Sequence, residues 1–113
     1  MELRHAWLSG ALTIVVPSLW YFEVGNVLGM KQPGLAAQFM EILTQYGFEE
    51  EPAENVYKKA FDLMKRFRVT FYDAAYHSVA ITRSGTMITA DDMYYGKTSR
   101  AGHIALLRDS KFE

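Results

Sequence analysis

The chain contains no cysteine, which excludes disulfides and thiolate metal sites and fits a reducing compartment. It shows no secretory leader pattern. It also has no apolar run near the ~20 residues that a membrane-spanning helix needs, so the expected address is the cytoplasm. Net charge is nearly absent too, since 12 basic against 13 acidic residues leave −1. No global field draws nucleic acid to such a chain, and any RNA or DNA contact must rest on a local patch. No repeat, low-complexity tract or linker divides the sequence. Apolar material, by contrast, is plentiful: of 113 residues, 50% are hydrophobic and 14% aromatic, enough for a core and too much for disorder. Residues 1–113 are expected to form a single domain.

The order of patterns predicts strands alternating with helices. Met1 to Ser9 carries a short amphipathic helical pattern stopped by Gly10. Leu12 to Val16 is β-branched and apolar and reads as a buried strand ending at Pro17. Ser18 is placed to cap a helix from about Leu19 to Met30. Leu35 to Tyr46 predicts a second helix, with Phe39, Ile42 and Leu43 on one face and Gly47 as its stop. Phe48 to Glu51 is a candidate edge strand, and Pro52 starts a helix with Val56, Ala60, Phe61, Met64 and Phe67 on its apolar side. Thr70 looks like the cap of a helix running to about Arg83, with Asp73 in the capping-box position. Thr86 to Ala90 and Ile104 to Leu107 read as the last strands. This alternation argues for a parallel α/β sheet, in which ligands bind at the carboxyl ends of the strands.

Three acids stand out against that frame. Glu23 lies on a helix with Leu19 and Val27 one turn to either side, and a carboxylate on an apolar stripe is costly unless something compensates it or it reaches solvent. Asp73 opens a helix, where the macrodipole alone favours an acid. Asp91 follows a strand, where Asp also commonly starts a turn; its neighbour Asp92 reads as a solvated acid. Convergence lifts the set above these individual explanations, because separate elements of one sheet can bring all three to one end. Oxygen-only ligands suit Mg²⁺ or Mn²⁺. His5, His77 and His103 match no zinc spacing, and a satisfied, partly buried His77 is expected. Lys65-Arg66-Phe67-Arg68 forms a basic cluster that complements a helix C-terminus, whereas Lys97 and Arg100, after the Asp91 turn, are better placed to meet an RNA phosphate.

These residues carry a resemblance. Pro17-Ser18-Leu19-Trp20-Tyr21-Phe22-Glu23-Val24-Gly25-Asn26-Val27-Leu28 resembles the second acidic motif of PIN domains, particularly the VapC-type toxins. Tyr72-Asp73-Ala74-Ala75-Tyr76 looks like the third motif, Thr89-Ala90-Asp91 like the fourth, and Gly102 to Leu107 like the closing strand. The resemblance covers nearly the whole chain, in order. It implies a three-layer α/β/α fold with a parallel sheet, and cleavage of RNA by an acid cluster holding Mg²⁺ or Mn²⁺, often as the toxin of a toxin–antitoxin pair. Glu23, Asp73 and Asp91 would be the metal-binding and catalytic residues. Thr89 would support the site through its hydroxyl, with Asn26 as a further supporting candidate.

Members of the family begin with a strand ending in an aspartate. This chain opens inside what should be the following helix, so an N-terminally truncated domain is expected, with its metal binding and activity impaired by loss of one acid. The strand's place is in the middle of the sheet, beside Leu12–Val16. The resulting expectation is a homo-oligomer, most simply a dimer, in which a second subunit or a rearranged segment fills the gap. A toxin-type ribonuclease is one function compatible with this reading. A non-catalytic oligomer that binds RNA or a small antitoxin protein is another, and reuse of the fold for an unrelated ligand is a third.

Overall fold

A computed structural model describes residues 13–109. The helix expected over Met1–Ser9, and the question of what precedes it, lie outside those residues.

Strand β1 (Val15–Pro17) pairs in parallel with β2 (Glu49–Glu51), Val15 facing Glu49 and Pro17 facing Glu51. Between them run helices α1 (Trp20–Lys31) and α2 (Ala36–Thr44), which pack on each other. Three consecutive glutamates are a poor strand sequence on propensity grounds, and here each has a partner. The Trp20 indole donates to Glu50 Oε2 at 2.6 Å, and Arg83 donates to Glu49 Oε2 at 3.1 Å and to Glu51 Oε1 at 3.2 Å. The strand is therefore held by side-chain donors from two helices as well as by its ladder.

After Pro52 the chain makes a short 3₁₀ turn (Ala53–Asn55), then α3 (Tyr57–Phe67), α4 (Phe71–Thr82), β3 (Met87–Thr89), α5 (Asp92–Thr98), a second 3₁₀ turn (Ser99–Ala101) and β4 (Ile104–Leu106). β4 pairs with β3 in parallel, Met87 opposite Ile104 and Thr89 opposite Leu106. The core sits between α3 and α4, where Ala60, Leu63, Phe67 and Ala74 are buried against Met64, Val69, Phe71 and Ile81. Gly102 (φ 76°, ψ −174°) takes a conformation open essentially to glycine alone, and its carbonyl is turned toward α4.

Several expectations need correction. The parallel pairing expected of an α/β fold is present, but among the described residues it forms two two-stranded ribbons, β1–β2 and β3–β4, rather than one sheet. Ser18 does not cap α1; Leu19 occupies that position and no side-chain cap forms. Pro52 stays extended (ψ 147°), so the helix expected from it begins only at Tyr57. On α3 Ala60 and Phe67 are buried as expected, but Leu63 is buried with them while Phe61 faces outward. The predicted apolar face of α2 is also open, with Phe39 and Ile42 exposed, because α2 packs on a helix whose own buried residue is Trp20 alone. Helix α5 was not legible as a helix. No helix among the described residues is long and apolar enough to cross a membrane.

Candidate active site

Helix α4 starts where Thr70 turns its hydroxyl back to accept from the Asp73 backbone N–H at 3.3 Å. This satisfies one of the free donors of the first turn and fixes Asp73, half-buried, at the helix N-terminus. One turn on, the Tyr76 phenol stands close to the Glu23 carboxylate, which α1 carries. Burial, first, and then the neighbouring carboxylates of Glu23 and Asp73 push the Tyr76 phenol well above its ordinary range. Tyr76 is therefore a neutral donor standing within the field of both acids. The sequence reading missed it, although its place three residues after Asp73 puts it on the same helical face.

Asp91 behaves in the same manner at the next helix. Its Oδ1 accepts from the Tyr94 backbone N–H at 3.0 Å, capping α5, and Thr89 Oγ1 accepts from the Asp91 N–H at 3.0 Å. Thr89 thus fixes the backbone between strand and helix at Asp91. Asp91 remains exposed. Asp92, expected to be merely solvated, is paired with Arg108. Asn26 sits exposed on α1, one turn beyond Glu23.

Between the two capped helices lies a buried polar pair. His77 is completely buried; its Nε2 lies 2.8 Å from the Gly102 carbonyl and its Nδ1 2.8 Å from the Tyr94 hydroxyl. A carbonyl can only accept, so Nε2 carries the proton and Tyr94 donates to Nδ1. Burial, aided by the neighbouring charge of His103 and opposed by the Gly102 carbonyl, lowers the His77 pKa, so the neutral imidazole is favoured. The Tyr94 phenol is pushed up to about 12, mainly by burial, with the charge of Asp73 adding to it. His77 is therefore a satisfied core histidine that joins α4, α5 and the Gly102 turn.

Glu23 and Asp73 flank one tyrosine, and Asp73 also acts on the tyrosine that caps back to Asp91. No Lys or Arg pairs with any of these three carboxylates among the described residues. Their donor atoms are the hard oxygens that Mg²⁺ or Mn²⁺ prefers. Among the described residues they do not close into a three-ligand group, but Mg²⁺ usually keeps several waters and asks the protein for one or two carboxylates. The donor set fits such an ion in kind. Lys97, in the last turn of α5, and Arg100, just after it, lie elsewhere, with Arg66 and Arg68.

No curated protein matches the chain. A family model, that of the PIN domain, matches residues 2–98. The chain thus belongs to the PIN domain family, whose members are generally nucleases and usually depend on a divalent metal.

Proposed function

We propose that the chain is related to the Mg²⁺- or Mn²⁺-dependent endoribonuclease toxins of the VapC type, with Glu23, Asp73 and Asp91 as its metal-binding and catalytic carboxylates. One contrast carries the reading. Asp92 is neutralised by Arg108, whereas the adjacent Asp91, together with Glu23 and Asp73, has no basic partner among the described residues. Carboxylates left without a basic partner are the ones open to a divalent cation, as Asp92 is not.

When bound, a divalent ion there would acidify the attacking water and stabilise charge on the scissile phosphate. The chain's own residues do the positioning. The Tyr76 phenol stands beside Glu23, the Thr70 cap sets the backbone of Asp73, and Thr89 with the Tyr94 N–H sets Asp91. The expected setting is cytoplasmic, with a small antitoxin protein as the controlling partner. Cleavage of a structured RNA with Mn²⁺, compared between this chain and Asp91→Asn, tests the proposal. Loss of cleavage in the variant supports it, and equal signals assign the activity to a contaminant.

The open apolar surface of α1 and α2 favours a second reading, a non-catalytic oligomer that binds RNA or an antitoxin. Phe22 is 79% and Met30 77% exposed, and Leu35, Phe39 and Ile42 add to the same helical pair. Contiguous exposed apolar side chains mark interaction surfaces, here of a homodimer or of an antitoxin helix. A chain that self-associates with rising concentration but cleaves nothing would favour this reading. A monomer in sedimentation at every concentration removes its oligomeric part.

A further inference from the structure

Arg66 and Arg68 end α3, and Lys97 and Arg100 end α5, some thirty residues later. The fold sets the two ends side by side around a cleft of about 380 Å³. The guanidinium carbons of Arg66 and Arg100 lie 4.8 and 5.4 Å from the centroid of the Phe67 ring, so one aromatic ring meets both cations. Lys97 Nζ approaches the Arg68 carbonyl at 3.4 Å, which Arg68 presents from a left-handed backbone (φ 57°).

Charge accounting shows that this is more than helix capping. Of the four cations, Arg66 alone has an acid, Asp62 at 3.6 Å, and shares it with Lys59. Arg68, Lys97 and Arg100 have none among the described residues. Two helix C-termini contribute roughly −0.5 each, which with Asp62 still leaves an excess of about two positive charges. Such an excess in a chain of net charge −1 is the kind of local patch that an anion compensates. Phe67 is 7% exposed and lies beneath the guanidinium groups, so it is closed to base stacking. Charge is what the cleft offers, and it would be read without regard to sequence.

We propose that this cleft binds the backbone phosphates of single-stranded RNA next to the cleavage point, through Arg66, Arg68, Lys97 and Arg100. The identity of the polyanion rests on the ribonuclease reading above; the anion site does not. Asp91 and Lys97 lie at opposite ends of α5, which at ~1.5 Å per residue separates them by on the order of 10 Å. That distance corresponds to about three nucleotides of a stacked strand at ~3.4 Å each. The cleft would thus hold a flanking segment while the acids meet the scissile bond.

The test is binding of a fluorescein-labelled oligouridine 12-mer to the whole chain in EDTA, which silences metal-dependent cleavage. Affinity is followed against salt for the wild type, Arg68→Gln/Arg100→Gln and the charge-matched control Lys31→Gln/Lys58→Gln. The cleft variant should bind about tenfold more weakly at low salt. Its slope of log affinity on log salt should be shallower by about 1.4, at ~0.7 per phosphate contact, with the control unchanged. Equal losses in both variants, no loss in either, or binding of inorganic phosphate but not of RNA would each overturn the proposal. If the cleft variant behaves as expected while Asp91→Asn cleaves normally, the ribonuclease reading fails and the cleft stands. If cleavage depends on Asp91 and the cleft variant binds as wild type, the reverse holds. Unchanged far-ultraviolet circular dichroism of the variants secures the comparison.

Discussion

The Tyr94 hydroxyl donates to Nδ1 of His77 across 2.8 Å in a fully buried setting. The same tyrosine's N–H caps back onto Asp91. One residue thus fixes the candidate acid at the start of α5 and fastens that helix to α4.

Tyr94→Phe keeps the ring and removes the donor, leaving Nδ1 unsatisfied where no water reaches it. The expected loss is ~1–3 kcal/mol of unfolding free energy, read by urea denaturation. His77→Leu/Tyr94→Phe should cost less than the sum of the two single changes, since the pair then leaves no orphan between its own atoms.

Acid should weaken the fold through His77. Its folded pKa lies below the ordinary 6.5, so above about pH 6.5 both folded and unfolded chains hold it neutral and its contribution is complete. As pH falls from 6.5 toward the folded value, the unfolded chain takes up a proton that the folded one does not, and stability drops. Denaturation midpoints between pH 7 and 5 should decline for the wild type and more shallowly for His77→Gln. Parallel declines would show that His77 contributes nothing to the slope.

Arg83 reaches two carboxylates of β2, one of them on the buried Glu51. Arg83→Gln should lower the thermal midpoint and speed hydrogen exchange in β2. Arg83→Lys should restore it only in part, because an ammonium cannot reproduce the planar fork that serves both acids.

Thr70→Ala removes the cap of α4 and should cost ~1 kcal/mol, while Thr70→Ser should keep most of it. Both are measured by the same denaturant titration.

Tyr76→Phe bears on the ribonuclease reading. Loss of the hydroxyl removes the neutral donor that stands beside Glu23, and Mn²⁺-dependent cleavage should fall by ~10–100-fold with little change in the denaturation midpoint. An unaltered cleavage rate would leave Tyr76 a packing residue.

Much of this was written locally. Thr70 with Asp73 is a four-residue signal, and a β-branched run ending in Asp91 needs no distant partner to be read. Helix α5 escaped because Asp92-Met93-Tyr94-Tyr95-Gly96 is weak in helix propensity, and the Asp91 cap with burial of Tyr94 and Thr98 sustains it instead. The expectation at Ser18 failed because a Ser before an apolar run can cap only if the turn falls on it, and the turn fell on Leu19. The basic cleft and the His77–Tyr94–Gly102 contacts join residues about seventeen to thirty apart, and no short pattern encodes such pairings. The same holds for the arginine that makes three glutamates tolerable in a strand.

Helix α4 packs on both β1 and β3, although the two ribbons share no ladder among the described residues. Opening β1–β2 breaks no ladder bond of β3–β4 among the described residues, so hydrogen exchange should report the two ribbons, on their common axle α4, as separately opening units. Glu23 belongs to one half and Asp91 to the other, with Asp73 on the axle. If a cation joins these three carboxylates, as proposed above, its binding should be felt as slowed exchange in strands of both ribbons that it never touches.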